Sequence, residues 1–389
     1  MVALEGQGDL MNIRIALAVS IVVMSLLGSA SSAVAAAPGE GIIVAKGFNG
    51  PQGVLVATDG GLYVVDSGIG GDMVVSVTNP ETGKPEEVKI GDSARVVHIA
   101  SDGQQYVMAM LPSVLMERDT SGGNRLAELD GTVYVTSGGW EGEFGDTPMP
   151  NMARVLALKD NQLTELVNTW DVEKANNPDG YILESHPYDL TFGPDGRLWI
   201  ADAGANDLLA VDLTSKKTEV VSVFPGVPSP LPNPARGNAK ESDPVPTGVA
   251  FDKAGNLYVS LLPGAPFLPG SAKVVKVAPD GSVTDYATNL TAITDLQSAP
   301  DGNLYAVQFA QFTQEGPLPD TGALIRIREG NASEVVVSGL SFPTSLDFDA
   351  AGDAFVTING VGAPGSGAVL KFAQLITMAG TSLSEIPAQ

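Results

Sequence analysis

From Val54 onward, short runs of alternating apolar and polar residues come in pairs, and each pair is joined by a tight turn ending in glycine. The pattern reads VLVATDGGLYVVD from Val54, LAELDGTVYVTS from Leu126, LTFGPDGRLWIAD from Leu190, VAFDKAGNLYVS from Val249, LQSAPDGNLYAVQ from Leu296 and LDFDAAGDAFVTI from Leu346. A period of two marks strands, and Asp-Gly or Ala-Gly between two strands marks a hairpin. The turn glycines Gly60, Gly131, Gly196, Gly255, Gly302 and Gly352 recur about every 58 residues, a spacing suited to sheet repeats with long loops. Such units cannot bury their faces alone. Stacked radially, they predict an all-β, six-bladed β-propeller with four-stranded antiparallel blades.

The blades are expected at about 53–111, 124–167, 187–224, 246–286 and 292–337, and the sixth supplies only three strands within 342–372. Its fourth strand is expected from the other end of the chain. IIVAKGF (Ile42–Phe48) resembles VVVSGLS (Val335–Ser341), the outer strand before the last blade, so the N-terminal strand should complete that blade and hide two sheet edges. The propeller is thus placed at 40–375, with a flexible polar tail at 376–389.

Ahead of it, Arg14 precedes the uncharged stretch Ile15–Leu27 and the small residues Ala33-Val34-Ala35-Ala36-Ala37, the order of a secretory signal peptide cleaved after Ala35. Glu5 and Asp9 spoil the basic region, which points to Met11 as the true start. The alternative is an uncleaved anchor, because no charge falls between Ile15 and Ala37. Cleavage implies export to the periplasm or beyond and no membrane association afterwards. The sequence has no cysteine, which excludes disulfides and thiolate metal sites. A net charge of −24 opposes nucleic acid and anionic lipid, and opposes anionic ligands unless a local basic pocket overrides it. It also suits a soluble monomer.

The long insertions are 67–93, 138–151, 168–186, 225–245, 262–271, 309–321 and 359–367. All lie between second and third strands or between blades, loop types that share one face. That face, one mouth of the central channel, is where a small molecule or partner protein would bind.

ANNPDG (Ala175–Gly180), SHPYDLTFGPDGRLWIADAGANDLLAVD (Ser185–Asp212), MLPSV (Met110–Val114), PVPTGVAFD from Pro244 and GAPFLPGSAKVVKV from Gly264 carry a further signal. In these segments the chain resembles the ScyD/ScyE family of exported bacterial propellers. SHPYD and the Ala-Gly turns depart from that family's usual pattern. The resemblance implies the fold and export, and a place beside the formation of an extracytoplasmic secondary metabolite such as scytonemin. It brings no established reaction.

On this architecture a lactonase-like hydrolase or a lyase is the enzymatic alternative to a binding protein, and the sequence leaves the choice open. A calcium-dependent form would hold its ion by oxygen ligands at the tops of the inner strands. The corresponding residues are Gln52, Asn124, Tyr188, Thr247, Thr294 and Thr344, with no carboxylate among them. Calcium is therefore disfavoured and no cofactor is assigned. Asp189 and Asp295 follow one position later and by alternation point the other way. His98 and His186 are the only histidines. His98 reads as a packed or edge residue. His186, beside Tyr188 and Asp189 at the mouth, reads either as a structural group or as an acid–base group. Asp66 and Asp202 end second strands, where they either cap the following loop or face a ligand. Trp140 and Trp170 stand in mouth insertions, as ring platforms or as loop anchors. The candidate site is thus His186, Tyr188, Asp189, Asp202, Thr247, Asp295, Trp140 and Asp66.

Overall fold

The computed structural model describes residues 41–78, 85–116, 119–313 and 316–383, so the expected signal segment at 1–35 lies outside the described residues. Each of the repeated sequence pairs is an antiparallel hairpin that opens a sheet. In chain order the opening strands are Pro51–Val56, Gly123–Leu129, Pro187–Phe192, Pro246–Phe251, Ile293–Ser298 and Leu346–Phe348, and their sheets are called 1 to 6. The six turn glycines sit at φ between 70° and 88°, a region that a Cβ disfavours. In five of these turns an aspartate (Asp59, Asp195, Asp252, Asp301 or Asp349) accepts the backbone N–H two residues on, which fixes the turn.

Sheets 2, 3 and 4 are four-stranded and follow chain order, one strand beside the next. In sheet 6 the outermost strand is Ile42–Phe48, paired antiparallel with Gly367–Phe372. Two elements differ from the sequence reading. In sheet 1 the outer strands run Pro85–Ile99 and Gln105–Met116, and Met73–Thr78 pairs with the extension, so much of the expected loop 67–93 is sheet. The tail expected from residue 376 is docked through Leu383. Thr381–Ser382 pairs with the outer strand Glu334–Leu340 of sheet 5, while Leu375, Ile376, Met378 and Leu383 pack on the clusters around sheets 5 and 6. The polar residues between them obscured that apolar spacing.

The core lies between sheets. Leu126 and Val135 of sheet 2 meet Val65, Val96 and Leu111 of sheet 1. Similar clusters join sheets 2 and 3 (Val155, Leu190, Ile200), 3 and 4 (Trp199, Val249, Val259), 4 and 5 (Val274, Leu296, Ile325), and 5 and 6 (Leu324, Leu346, Val356). A sixth joins sheet 6 to sheet 1 through Phe48, Val369, Val54 and Val64. Opening strands touch in the same order, 1 on 2, 2 on 3, 3 on 4, 4 on 5, 5 on 6 and 6 on 1.

Candidate functional site

Five opening strands share one irregularity. Their pairing slips between Pro51 and Gly53, Gly123 and Leu126, Pro187 and Asp189, Pro246 and Gly248, and Ile293 and Asp295. A bulge of this kind re-aims the side chain at the slip. Of the residues so displaced, Gln52, Asn124, Tyr188 and Thr294 meet Thr344 and His186 around a cavity rimmed by Phe309 and Val361. The enclosed space is small, about 50 Å³, room for a few waters or one small head group rather than a whole drug-sized molecule. Thr247, at the equivalent place in sheet 4, is turned away and donates to Ile293 O (2.6 Å).

A buried residue that the sequence pattern does not single out ties the backbones of the lining strands together. Arg125 is 2% exposed. Its Nη1 donates to Gln52 O and, at 3.2 Å, to Asn124 O, and its Nη2 donates to Thr294 O (2.5 Å) and Thr344 O (2.7 Å). Its Nε lies 3.8 Å from Asp295 Oδ2, and the guanidinium sits 4.7 Å from the Tyr188 ring centre. One side chain from sheet 2 therefore ties carbonyls of sheets 1, 5 and 6 and touches sheets 3 and 5. No sequence signal marked it, because an arginine in RLAEL reads as an outward-facing strand residue.

Asp189 and Asp295 do not line the cavity. Each reaches the next sheet: Asp189 Oδ2 accepts from Val249 N (2.7 Å) and Asp295 Oδ2 from Leu346 N (2.8 Å). Asp347 does the same for Val56 N (2.7 Å). Burial pushes all three carboxyls up, Asp347 to about 7, and in Asp189 the facing Asp295 adds to burial while Arg125 opposes it. These aspartates staple neighbouring sheets together.

His186 lines the cavity. Its Nε2 is 3.0 Å from Asn124 Nδ2, whose other contact is Pro187 O (3.4 Å). An amide nitrogen facing a carbonyl must donate, so Nε2 accepts and the proton rests on Nδ1. Burial lowers this imidazole to about 4, and it is neutral at pH 7. The Tyr188 ring stands edge-on at 5.8 Å. His98, by contrast, lies outside the mouth, 3.1 Å from the turn residue Asp59 and beside Tyr63.

Asp202 and Asp66 hold loops. Asp202 accepts from Ser185 Oγ (2.7 Å), His186 N (2.6 Å) and Ala205 N (3.1 Å), and Asp66 accepts from Asn49 N (3.1 Å) and from the backbone and side chain of Arg95. Trp170 is fully buried in the first turn of the helix Thr169–Asn176 and donates to Asp146 O (3.0 Å). Trp140 is half-buried against Phe144 and donates to Gly145 O (2.8 Å). Both tryptophans anchor insertions and neither lines the cavity. Nearby in the chain are the buried carboxyl residues Glu141, Glu173, Asp202 and Asp207, with Glu184 half-buried. Burial, then Asp202 and Asp179, pushes Glu173 to about 8. Among the described residues no group of three or more His, Asp or Glu is placed to hold a metal ion, and no helix is long and apolar enough to cross a membrane.

Solved structures share this architecture. A putative oxidoreductase (glucose dehydrogenase) from Thermus thermophilus is 17% identical, covers 85% of this chain and 99% of its own, and superposes with a TM-score of 0.51. The fold is β-propeller-like. Virginiamycin B lyase from Staphylococcus aureus (13% identical, 83% of this chain and 95% of that chain, TM-score 0.45) and a putative gluconolactonase (12%, 90% and 96%, TM-score 0.47) are more distant in shape. Likeness at these identities concerns the fold alone. No family model matches the sequence, and no curated protein matches it.

Proposed function

We propose that this chain is an exported, monomeric six-bladed propeller, closed by its N-terminal strand, that binds a small molecule at its loop-bearing mouth. Closure is supported by the Ile42–Phe48 pairing with Gly367–Phe372 and by the apolar cluster between sheets 6 and 1. Export rests on the Arg14 to Ala37 pattern. Kinship with ScyD/ScyE, and with it a place beside secondary-metabolite formation, rests on the segments around Ala175–Asp212 and Gly264.

The observation that carries the binding reading is the convergence of bulged residues from four opening strands on one cavity. The enzymatic alternative, a lyase or hydrolase at the same mouth, would draw on His186. An imidazole held near 4, with Nε2 engaged by Asn124, is a weak base at pH 7, which favours binding over turnover. The test is a thermal-shift screen of small metabolites on the full chain, since a native-state ligand raises the melting temperature. Stabilisation should vanish in His186→Ala and Thr294→Val and persist in Asp195→Ala and Asp301→Ala. A hit that survives the first pair and falls with the second removes the reading.

A further inference from the structure

The direction of every hydrogen bond around the cavity limits what it can hold. Gln52 Nε2 donates to Gly360 O (2.9 Å) and Gly50 O (3.5 Å). Asn124 Nδ2 is spent on His186 Nε2 and Pro187 O, Thr344 Oγ1 donates to Pro51 O (2.6 Å), and Thr294 Oγ1 points to Val307 O (3.5 Å). Amide nitrogens that face carbonyls have no alternative orientation, so these assignments follow from the network. The proton on His186 Nδ1 is on the side of Gly139, whose Cβ position lies 3.2 Å from that nitrogen. Below, the Arg125 Nη groups point at carbonyls and the side chain is sealed from the cavity. The amide and guanidinium donors of Gln52, Asn124 and Arg125 and the hydroxyl of Thr344 are thus engaged within the protein.

Oxygen acceptors remain. Among the described residues Gln52 Oε1 and Asn124 Oδ1 accept no hydrogen bond, and neither is a sealed buried atom. The threonine hydroxyl oxygens keep lone pairs. The aromatic rim of Phe309 continues into Phe312, its ring centre 6.3 Å away, and Phe342 at 5.4 Å. A cavity rich in oxygen acceptors beside aromatic faces, on a chain of net charge −24, matches a cationic donor and offers a carboxylate or phosphate few free amide donors.

We infer that the mouth selects a primary ammonium: the –NH3+ group enters the cavity and donates to Gln52 Oε1 and Asn124 Oδ1, while the apolar remainder lies on the Phe309–Val361 rim. The inference rests on the binding reading above and names its ligand class.

Three probes of one shape test it on the full chain by calorimetry: benzylammonium, benzyl alcohol and benzoate. Benzylammonium should bind at least tenfold more tightly than the alcohol, and benzoate should not bind. Gln52→Met should weaken benzylammonium at least tenfold. Thr344→Val, in the adjoining sheet, serves as a second variant should Gln52→Met fail to fold, and Asp301→Asn in the far-face turn should leave binding unchanged. Benzylammonium binding that is indifferent to both mouth variants would mark nonspecific attraction to an acidic surface and overturn the inference. Benzoate binding lost in Gln52→Met would also overturn it while leaving a small-molecule mouth in place. No mouth-dependent binding of any probe would count against both.

Discussion

Asp189 and Asp195 belong to the same hairpin of sheet 3, six residues apart, and their environments are opposite. Asp195 sits in the solvent-facing turn, where it accepts from Arg197 N (3.1 Å), Arg197 Nε (2.7 Å) and Trp199 Nε1 (3.3 Å). Partial burial works against its charge, but those bonds outweigh it and hold the carboxyl below its ordinary range. Asp189 lies inside, 1% exposed, reaching the backbone of sheet 4, and burial with the facing Asp295 pushes it up. The same contrast separates Asp252 and Asp301 in hairpin turns from Asp295 and Asp347, which reach the backbone of a neighbouring sheet. On the turn face a carboxylate organises one hairpin and keeps its water. Inside it joins two sheets and gives up solvation, and for Asp189 and Asp295 Arg125 supplies the compensating charge.

The largest test of this contrast is the arginine itself. Arg125→Met leaves carbonyls of three sheets unsatisfied and Asp295 without its buried partner. The expected loss is about 3–5 kcal/mol, read as a fall in the urea midpoint. Arg125→Lys should recover little, because one ammonium cannot span the fork that reaches Gln52, Thr294 and Thr344. A loss below about 1 kcal/mol, within the range of ordinary surface changes, would show that the sheets hold together without an axial tie.

Next come paired aspartates. Asp295→Ala orphans Leu346 N and should cost about 2–3 kcal/mol, the penalty for a buried donor left unmade. Asp301→Ala gives up bonds to Asn303 and Tyr305 in a turn that water can reach, and about 0.5–1 kcal/mol is expected. Equal costs in denaturant melts would erase the distinction between the two faces.

The pH dependence should show both faces in one curve. For Glu173, near 8, and Asp347, near 7, the folded chain holds more protons than the unfolded chain between the ordinary carboxyl range and those values. Stability therefore falls as pH rises through that window. The turn aspartates act in reverse. Their lowered carboxyls contribute stability above the ordinary aspartate value, which is lost as pH falls through their folded values. Melting temperature should accordingly peak in mild acid and decline toward pH 8. Glu173→Gln should raise it at pH 8 and leave it unchanged at pH 5, by about 2–4 °C per kcal/mol recovered. A flat profile between pH 5 and 8 would contradict the burial assigned to Glu173.

The two faces also differ in how much of them the sequence reveals. The turns are local: glycine at positive φ and aspartate two residues before its N–H partner leave a mark within five residues, so all six hairpins could be placed. The tops of the opening strands were legible as positions. Gln52, Asn124, Tyr188, Thr294 and Thr344 were picked out together and do line one cavity, whereas Thr247 does not. What each side chain does there depends on bulges and on sheets as far as 308 residues away in the chain, as in Gln52 to Gly360. Local pattern holds no record of such partners. For that reason the local pattern does not single out Arg125, does not show that Asp189 and Asp295 run between sheets, and does not decide between the two roles of the tryptophans.

The smallest expected effect compares two glycines. Gly196 sits at φ +76° with open space where a Cβ would go, so Gly196→Ala should cost about 1 kcal/mol through backbone strain alone and disturb nothing else. Gly139 faces the mouth, and a Cβ there would come within 3.0 Å of His186 Cγ and 3.2 Å of its Nδ1. The ring must give by a few tenths of an ångström, which lengthens or bends the 3.0 Å contact to Asn124. Gly139→Ala should therefore shift the ¹⁵N resonances of the His186 ring and weaken mouth binding, with a stability change no larger than that of Gly196→Ala. Unmoved His186 resonances in Gly139→Ala would mean that the ring is not wedged between the insertion and Asn124, and the mouth would then be looser than the turn face it is contrasted with.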